Sequence, residues 1–110
     1  MHKEIYERLQ SIAKAGRVIT YSEVAPLAGL DMSQIDDRNR IAEILGDIST
    51  FEFKHGRPLL SVVVIHRDNN IPGQGFFTLA RNLGVYNDYD DLLFFIQELR
   101  RVHDYWREHS

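Results

Sequence analysis

The stretch Arg57-Pro58-Leu59-Leu60-Ser61-Val62-Val63-Val64-Ile65-His66-Arg67-Asp68 is the part of the sequence that decides the fold class. Its central residues, Leu59–Ile65, form a continuous apolar run rich in valine, which is typical of a strand buried on both faces. Pro58 follows the end of a helical segment, and charged residues begin directly after Ile65. We therefore predict a central strand over 59–65, with Val62 and Val64 among the most buried residues.

Upstream of this strand, the sequence predicts a helix, a short strand and a second helix. Residues 3–15 place apolar side chains on one helical face, and Gly16 is suited to end that helix. Val18–Tyr21 is β-branched and predicts a strand paired with 59–65. Thr20 and Glu23 have the spacing of a capping box, but Pro26 favours Ser22 as the N-cap of a short helix that ends at Gly29.

The remaining segments predict three more helices. The third has Asp36 or Asp37 as its expected N-cap and ends by Gly56, and it carries an apolar stripe of Ile41, Ile44, Leu45, Ile48 and Phe51. The turn-rich segment 67–75 is either the tip of a hairpin or a long loop. We predict a helix from about Phe76, the alternative being a returning strand over 71–77. The longest helix spans 88–108, with a stripe of Leu92, Ile96, Leu99, Val102 and Trp106.

This order of elements predicts a single α+β domain over 1–110. Helix, strand, helix, helix and strand follow one another as they do in winged helix-turn-helix domains, which the sequence resembles. The resemblance implies that the third helix enters the DNA major groove and that the loop after the second strand contacts the backbone.

Charge and composition limit the function classes. The net charge is −3, and residues 85–110 carry the whole excess, with three arginines against six acids. The chain is therefore not strongly basic, and its charge alone does not indicate nucleic-acid binding. No cysteine is present and the five histidines show no paired spacing, so we expect neither a metal site nor a cofactor. We also expect a cytoplasmic protein without a membrane segment.

A more specific resemblance runs through three fragments. Val18-Ile19-Thr20-Tyr21-Ser22-Glu23-Val24-Ala25, Asp37-Arg38-Asn39-Arg40-Ile41, and Pro58-Leu59-Leu60 with Ile65-His66-Arg67 resemble the DNA-binding domain of the alkylguanine-DNA alkyltransferases and alkyltransferase-like proteins. The resemblance implies that Tyr21 lies near an extruded base and that Arg38 or Arg40 fills the gap in the duplex. Ile65 stands where the alkyltransferases have their nucleophilic cysteine. Alkyl transfer requires a thiolate, so we expect no such activity.

We therefore predict a non-catalytic protein that binds double-stranded DNA. The predicted contact residues share a place at the start of the third helix or at the ends of the strands: Tyr21, Ser22, Arg38, Asn39, Arg40, Lys54, Arg57, His66 and Arg67. Glu43 and Asp47 lie on the outer face of that helix and oppose phosphate contact. A small enzyme that uses His66-Arg67-Asp68 is a more distant alternative, since Asp and Asn in this loop are typical turn residues.

The alternative function class is a protein-interaction module built on the last helix. Large side chains point in several directions from this segment, and one interface cannot bury them all. We predict a homodimer through Phe94, Phe95, Tyr105 and Trp106. The competing interpretation is that residues 76–84 cover these aromatic side chains within one chain.

Overall fold

The computed structural model describes residues 1–109 and is mostly helical, with one small parallel sheet. Along the chain lie helix α1 (Lys3–Lys14), strand β1 (Ile19–Thr20), helix α2 (Tyr21–Val24), a 3₁₀ helix (Ala25–Ala28), helix α3 (Ile35–Lys54), a second 3₁₀ helix (Leu60–Val63), strand β2 (Val64–Ile65), helix α4 (Gln74–Asn82) and helix α5 (Asp91–Glu108). Within residues 1–109, none of these helices has the combination of length and hydrophobicity that crossing a bilayer requires.

The predicted start of the second helix is wrong by two residues. Thr20, and not Ser22, is the N-cap, because its hydroxyl accepts from the Glu23 N–H while the Glu23 carboxylate accepts from the Thr20 N–H. This reciprocal pair satisfies two backbone donors at once. Pro26 does not prevent it, since α2 gives way to a 3₁₀ turn at Ala25 and Pro26 occupies the first turn of that segment.

The central apolar run is only partly a strand. Val64 and Ile65 pair in parallel with Ile19 and Thr20, which confirms that the two segments are neighbours. Val62 and Val64 are fully buried, as predicted. The first half of the run is a 3₁₀ helix, however, so the prediction of one strand over 59–65 is wrong there.

Side chains from two helices explain the 3₁₀ segment. The Leu59 N–H donates to the Glu98 carboxylate at 2.8 Å, and the Ser61 N–H donates to the Ser49 hydroxyl at 3.0 Å. These bonds satisfy buried backbone donors that a strand would satisfy with a neighbouring strand. The apolar pattern cannot distinguish a strand from a 3₁₀ helix here, because both conformations bury every side chain of the run.

The third and fourth helices occupy the predicted segments. The Ile41, Ile44, Leu45 and Ile48 stripe of α3 is buried. Asp36 and Asp37 lie within the first turn, since the helix begins at Ile35 after Gln34. Helix α4 begins at Gln74, so residues 71–77 do not form a returning strand and residues 66–73 are a loop.

The last helix buries only part of the predicted stripe. Phe94, Phe95, Val102 and Trp106 are buried, whereas Leu92 and Ile96 are 56% and 53% exposed. The reason is an aromatic cluster in which Phe94 stacks on Tyr86 with centroids 4.4 Å apart and also meets Phe76 and Phe77. Residues from 76 onward therefore cover Phe94 within one chain, as the competing interpretation predicted for residues 76–84. Phe94, Phe95 and Trp106 are buried and Tyr105 is half-buried, so the residues predicted for the homodimer do not form an exposed surface.

Candidate functional site

A cavity of about 400 Å³ opens between α3, α4 and the loop that follows β2. This size falls in the range of small-molecule sites. Helices α3 and α4 supply ten of its fifteen lining residues, with apolar and polar side chains among them. The lining residues are Tyr21, Met32, Arg38, Ile41, Ala42, Leu45, Gly46, Ser61, His66, Gly73, Gly75, Phe76, Thr78, Leu79 and Asn82.

Tyr21, His66 and Gly73 form one tightly packed part of the wall. The Tyr21 and His66 rings lie with centroids 4.5 Å apart, and the Gly73 N–H donates to the Tyr21 hydroxyl at 2.8 Å. A Cβ on Gly73 would lie 3.1 Å from His66 Nε2 and 3.2 Å from the Tyr21 oxygen. A larger residue would therefore have to shift one of these side chains by a few tenths of an ångström. The φ of Gly73 is −70°, so glycine is needed here for space and not for backbone conformation.

Burial raises the pKa of Tyr21 above its ordinary value, and the bond from the Gly73 N–H only partly offsets this effect. The phenol is therefore protonated at neutral pH. Because its oxygen already accepts from Gly73, its own O–H is available to donate to a ligand in the cavity. The ring of His66 beside it supplies a planar surface and a second polar atom.

Arg38 lies at the cavity wall and also holds the preceding loop. Its Nε donates to the Met32 carbonyl at 2.8 Å, and Nη2 contacts the Ser33 carbonyl at 3.4 Å. In the same loop the Asp31 N–H donates to the Asp37 carboxylate at 2.9 Å. Arg38 thus already forms hydrogen bonds within the fold, whereas Arg40 is exposed and pairs with Glu43 at 3.1 Å.

The structure brings together some of the predicted contact residues and separates others. Tyr21, Arg38 and His66 line the cavity although they come from three distant segments. Ser22, Asn39, Arg40 and Arg67 are exposed and lie within two residues of one of these three. Lys54 is 16 residues along α3 from Arg38, which is about 24 Å at the helical rise.

Arg57 has a structural role at the far end of α3. Its guanidinium donates to the buried carboxylate of Glu52, which also accepts from the Tyr6 hydroxyl. The same guanidinium lies 5.4 Å from the centroid of the Phe51 ring. Since Arg57 neutralises a buried acid, the Lys54–Arg57 cluster does not extend the cavity surface.

The His66-Arg67-Asp68 loop has the geometry of a turn. Asn69 accepts from the Ile71 N–H at 3.2 Å, and Asn70 adopts a positive φ of 60°. Within residues 1–109 no three histidine, aspartate or glutamate side chains come together as metal ligands. Asn69 and Asn70 therefore shape the backbone of the loop.

Several cavity residues were not predicted. Met32, Leu79 and Asn82 reach the cavity from segments that no sequence pattern links. Gly46 carried a usable signal, since a glycine inside a helix lowers helix stability relative to alanine and needs a packing or functional reason. A Cβ at Gly46 would have only Leu79 within 4 Å, at 4.0 Å.

The comparisons with known proteins identify no relative: no protein-family model, curated protein or solved structure matches this chain. Function must therefore be argued from the residues of the cavity and of the surface around it.

Proposed function

We propose that this chain is a winged-helix-like, non-catalytic DNA-binding protein whose cavity accepts a base turned out of the duplex. One observation carries the proposal. Tyr21, Arg38 and His66, which were selected from separate fragments of the sequence, line the same open cavity.

The cavity supplies the interactions that an unstacked base needs. The aromatic rings of Tyr21 and His66 offer stacking surfaces, and the Tyr21 hydroxyl offers a hydrogen bond to a base edge. Stacking on aromatic side chains contributes about 1–3 kcal/mol per base. An unpaired or mismatched base is the easiest to extrude, so it is the favoured ligand.

Arg40 and Arg67 are the cations suited to the flanking phosphates, because both are exposed and both adjoin a cavity residue. Two phosphate contacts give a slope of about −1.8 for the logarithm of the binding constant against the logarithm of salt concentration. Glu43 and Asp47 on the outer face of α3 keep this interaction weak. The buried Ile65 offers no nucleophile, which supports binding without chemistry.

The decisive experiment compares a perfect duplex with the same duplex carrying one bulged base, by fluorescence anisotropy at two salt concentrations. We expect the bulged duplex to bind at least about tenfold more tightly. Gly46→Leu, which projects a side chain into the cavity, should remove this preference, whereas Gly46→Ala should keep it because a Cβ fits beside Leu79.

The matched charge controls follow from the ion pairs. Arg40→Glu together with Arg67→Glu should weaken binding to both duplexes, while Arg100→Glu should have little effect, since α5 lies outside the cavity wall. Arg101 is unsuitable as a control because it pairs with the buried Glu98 at 2.6 Å. An unmodified chain that binds both duplexes equally, or a Gly46→Leu variant that keeps the preference for the bulged duplex, would refute the proposed role of the cavity.

A further inference from the structure

An apolar stripe on α5 is left uncovered by the chain. Leu92, Leu93 and Ile96 are exposed large apolar side chains, and Tyr89, just before the helix, is 92% exposed. At 100° per residue, these three helical positions and Arg100 fall within one sector of about 100°. The buried side of the helix, with Phe94, Phe95, Glu98, Val102 and Trp106, occupies the opposite sector.

The charges along this stripe run from acidic to basic. Asp88 and Asp90 lie just before its beginning and Arg100 lies at its end. Asp91 lies on the buried side of the helix, where it accepts from the Tyr86 hydroxyl. Arg81 lies over the Tyr86 ring, 4.2 Å from its centroid, and forms no ion pair with Asp88 or Asp90 among the described residues. Arg100 is well exposed and reaches its own Asp104 only at 4.0 Å.

A depression adjoins the acidic end. It has a volume of about 330 Å³, and Asp88, Asp90 and Leu93 contribute to its wall. One oxygen of Asp90 accepts from the Leu93 N–H, and one oxygen of Asp88 accepts from the Tyr89 N–H. Each carboxylate keeps a second oxygen that can accept a hydrogen bond from a cation.

We propose that two copies of this chain pair through α5 in antiparallel orientation, with the two-fold axis near residue 94. In this arrangement Leu92 of one copy meets Ile96 of the second copy, and Arg100 enters the acidic depression of the second copy. Both contacts occur twice, as a symmetric interface requires. A parallel arrangement would instead place the acidic ends of the two copies side by side, where their negative charges would repel each other.

The occupant is a second copy because the stripe is complementary to itself. The acidic residues and Arg100 lie on either side of residue 94 at similar sequence separations. The stripe covers about three helical turns, less than a stable dimer of standard size buries, so the association is weak and concentration-dependent. This inference is independent of the proposed DNA binding, because none of the stripe residues lines the cavity.

Sedimentation equilibrium on the full chain tests the pairing over a range from about 5 μM to about 500 μM, a range suited to weak interfaces. We expect the mass to rise from that of one chain towards two. Ile96→Ser should weaken association at least about tenfold, whereas Ile35→Ser, at another exposed apolar position, should not change it.

A charge exchange tests the orientation. Arg100→Asp and Asp88→Arg should each weaken the dimer, and the two substitutions in one chain should restore it, since each reversed charge again faces its opposite. A chain that stays monomeric throughout the range overturns the proposal. So does a dimer insensitive to Ile96→Ser, or a double variant no stronger than either single one.

Discussion

At the scale of single residues, Gly73 shows how one missing side chain shapes the cavity. Its N–H bonds the Tyr21 hydroxyl, and a Cβ would press on both Tyr21 and His66. Its φ of −70° suits alanine, so the backbone itself would not be strained. The effect of a substitution therefore falls on the two rings.

We expect Gly73→Ala to displace Tyr21 and His66 and to weaken binding of the bulged duplex at least about tenfold. Its effect on the free energy of unfolding should be small. Alanine reduces the conformational freedom of the unfolded chain, which stabilises the folded state by about 0.4–1 kcal/mol and offsets the cost of the crowding. Gly75→Ala is the matched control, since a Cβ there meets nothing within 4 Å. Duplex titrations and thermal unfolding of both variants measure the two effects. Equal binding by the two variants would contradict the role of Gly73.

At the scale of elements, the 3₁₀ helix Leu60–Val63 depends on side chains from α3 and α5. Glu98 is buried and accepts from the Leu59 N–H, and it also pairs with Arg101. Ser49 and Ser61 complete the polar contacts on the α3 side, with their hydroxyls 2.6 Å apart. Hydrogen bonds from α3 on one side and α5 on the other therefore fix this segment directly before β2.

Glu98→Ala should destabilise the chain by about 1–3 kcal/mol, because it leaves the buried Leu59 N–H without an acceptor. Glu98→Gln should cost less, since the amide oxygen can still accept. Glu43→Ala is the control: its pair with Arg40 is exposed, and such pairs contribute at most about 1 kcal/mol. Urea unfolding measures all three. A Glu98→Ala variant as stable as Glu43→Ala would show that the Leu59 bond contributes nothing.

The same segment shows why part of the fold could be predicted and part could not. Apolar periodicity located α1, α3 and α4, since each has one buried stripe. It could not separate strand from 3₁₀ helix at Leu60–Val63, because the choice depends on Ser49 and Glu98, which are distant in sequence. The buried face of α5 was predicted only in part for a related reason: Phe94 is fixed by Tyr86 and Phe76, and a single-helix pattern contains neither.

For the candidate site, the fragments that supplied Tyr21, Arg38 and His66 led to one cavity, while Lys54 and Arg57 did not belong with them. The basic cluster was chosen by charge alone, and charge does not reveal a buried partner such as Glu52. Met32, Leu79 and Asn82 were missed since only the packing of α3 against α4 brings them together. Long-range packing is thus the part that this sequence does not display.

At the scale of the whole molecule, the cavity and the α5 stripe are made of different residues. The cavity is built from α3, α4 and the loop before α4, whereas the stripe lies on α5. The excess negative charge belongs to residues 85–110, so α5 contributes little to attracting DNA. A dimer through α5 would leave the cavity of each copy open. DNA binding and dimerisation should therefore be removed by separate substitutions.

A buried polar contact joins the first helix to the end of the third and makes the stability of the molecule depend on pH. Burial, followed by the hydrogen bond to Glu52, raises the pKa of Tyr6 from its usual 10.0 to about 12. A raised pKa means that the folded state favours the protonated phenol. The stabilisation is therefore complete below pH 10 and is lost as the pH rises through 12.

Tyr6→Phe should lower the free energy of unfolding by about 1.5 kcal/mol at pH 8, since it removes a hydrogen bond to a charged group. The difference between the variant and the unmodified chain should narrow between pH 10 and 12, because the unfolded chain then releases the Tyr6 proton that the folded chain retains, which lowers the stability of the unmodified chain alone. Tyr89→Phe, at a position 92% exposed, should show no such convergence. Urea unfolding at pH 8, 10 and 11 provides the comparison. A Tyr6→Phe difference that is constant across these values would mean that the Tyr6 proton does not link α1 to Glu52.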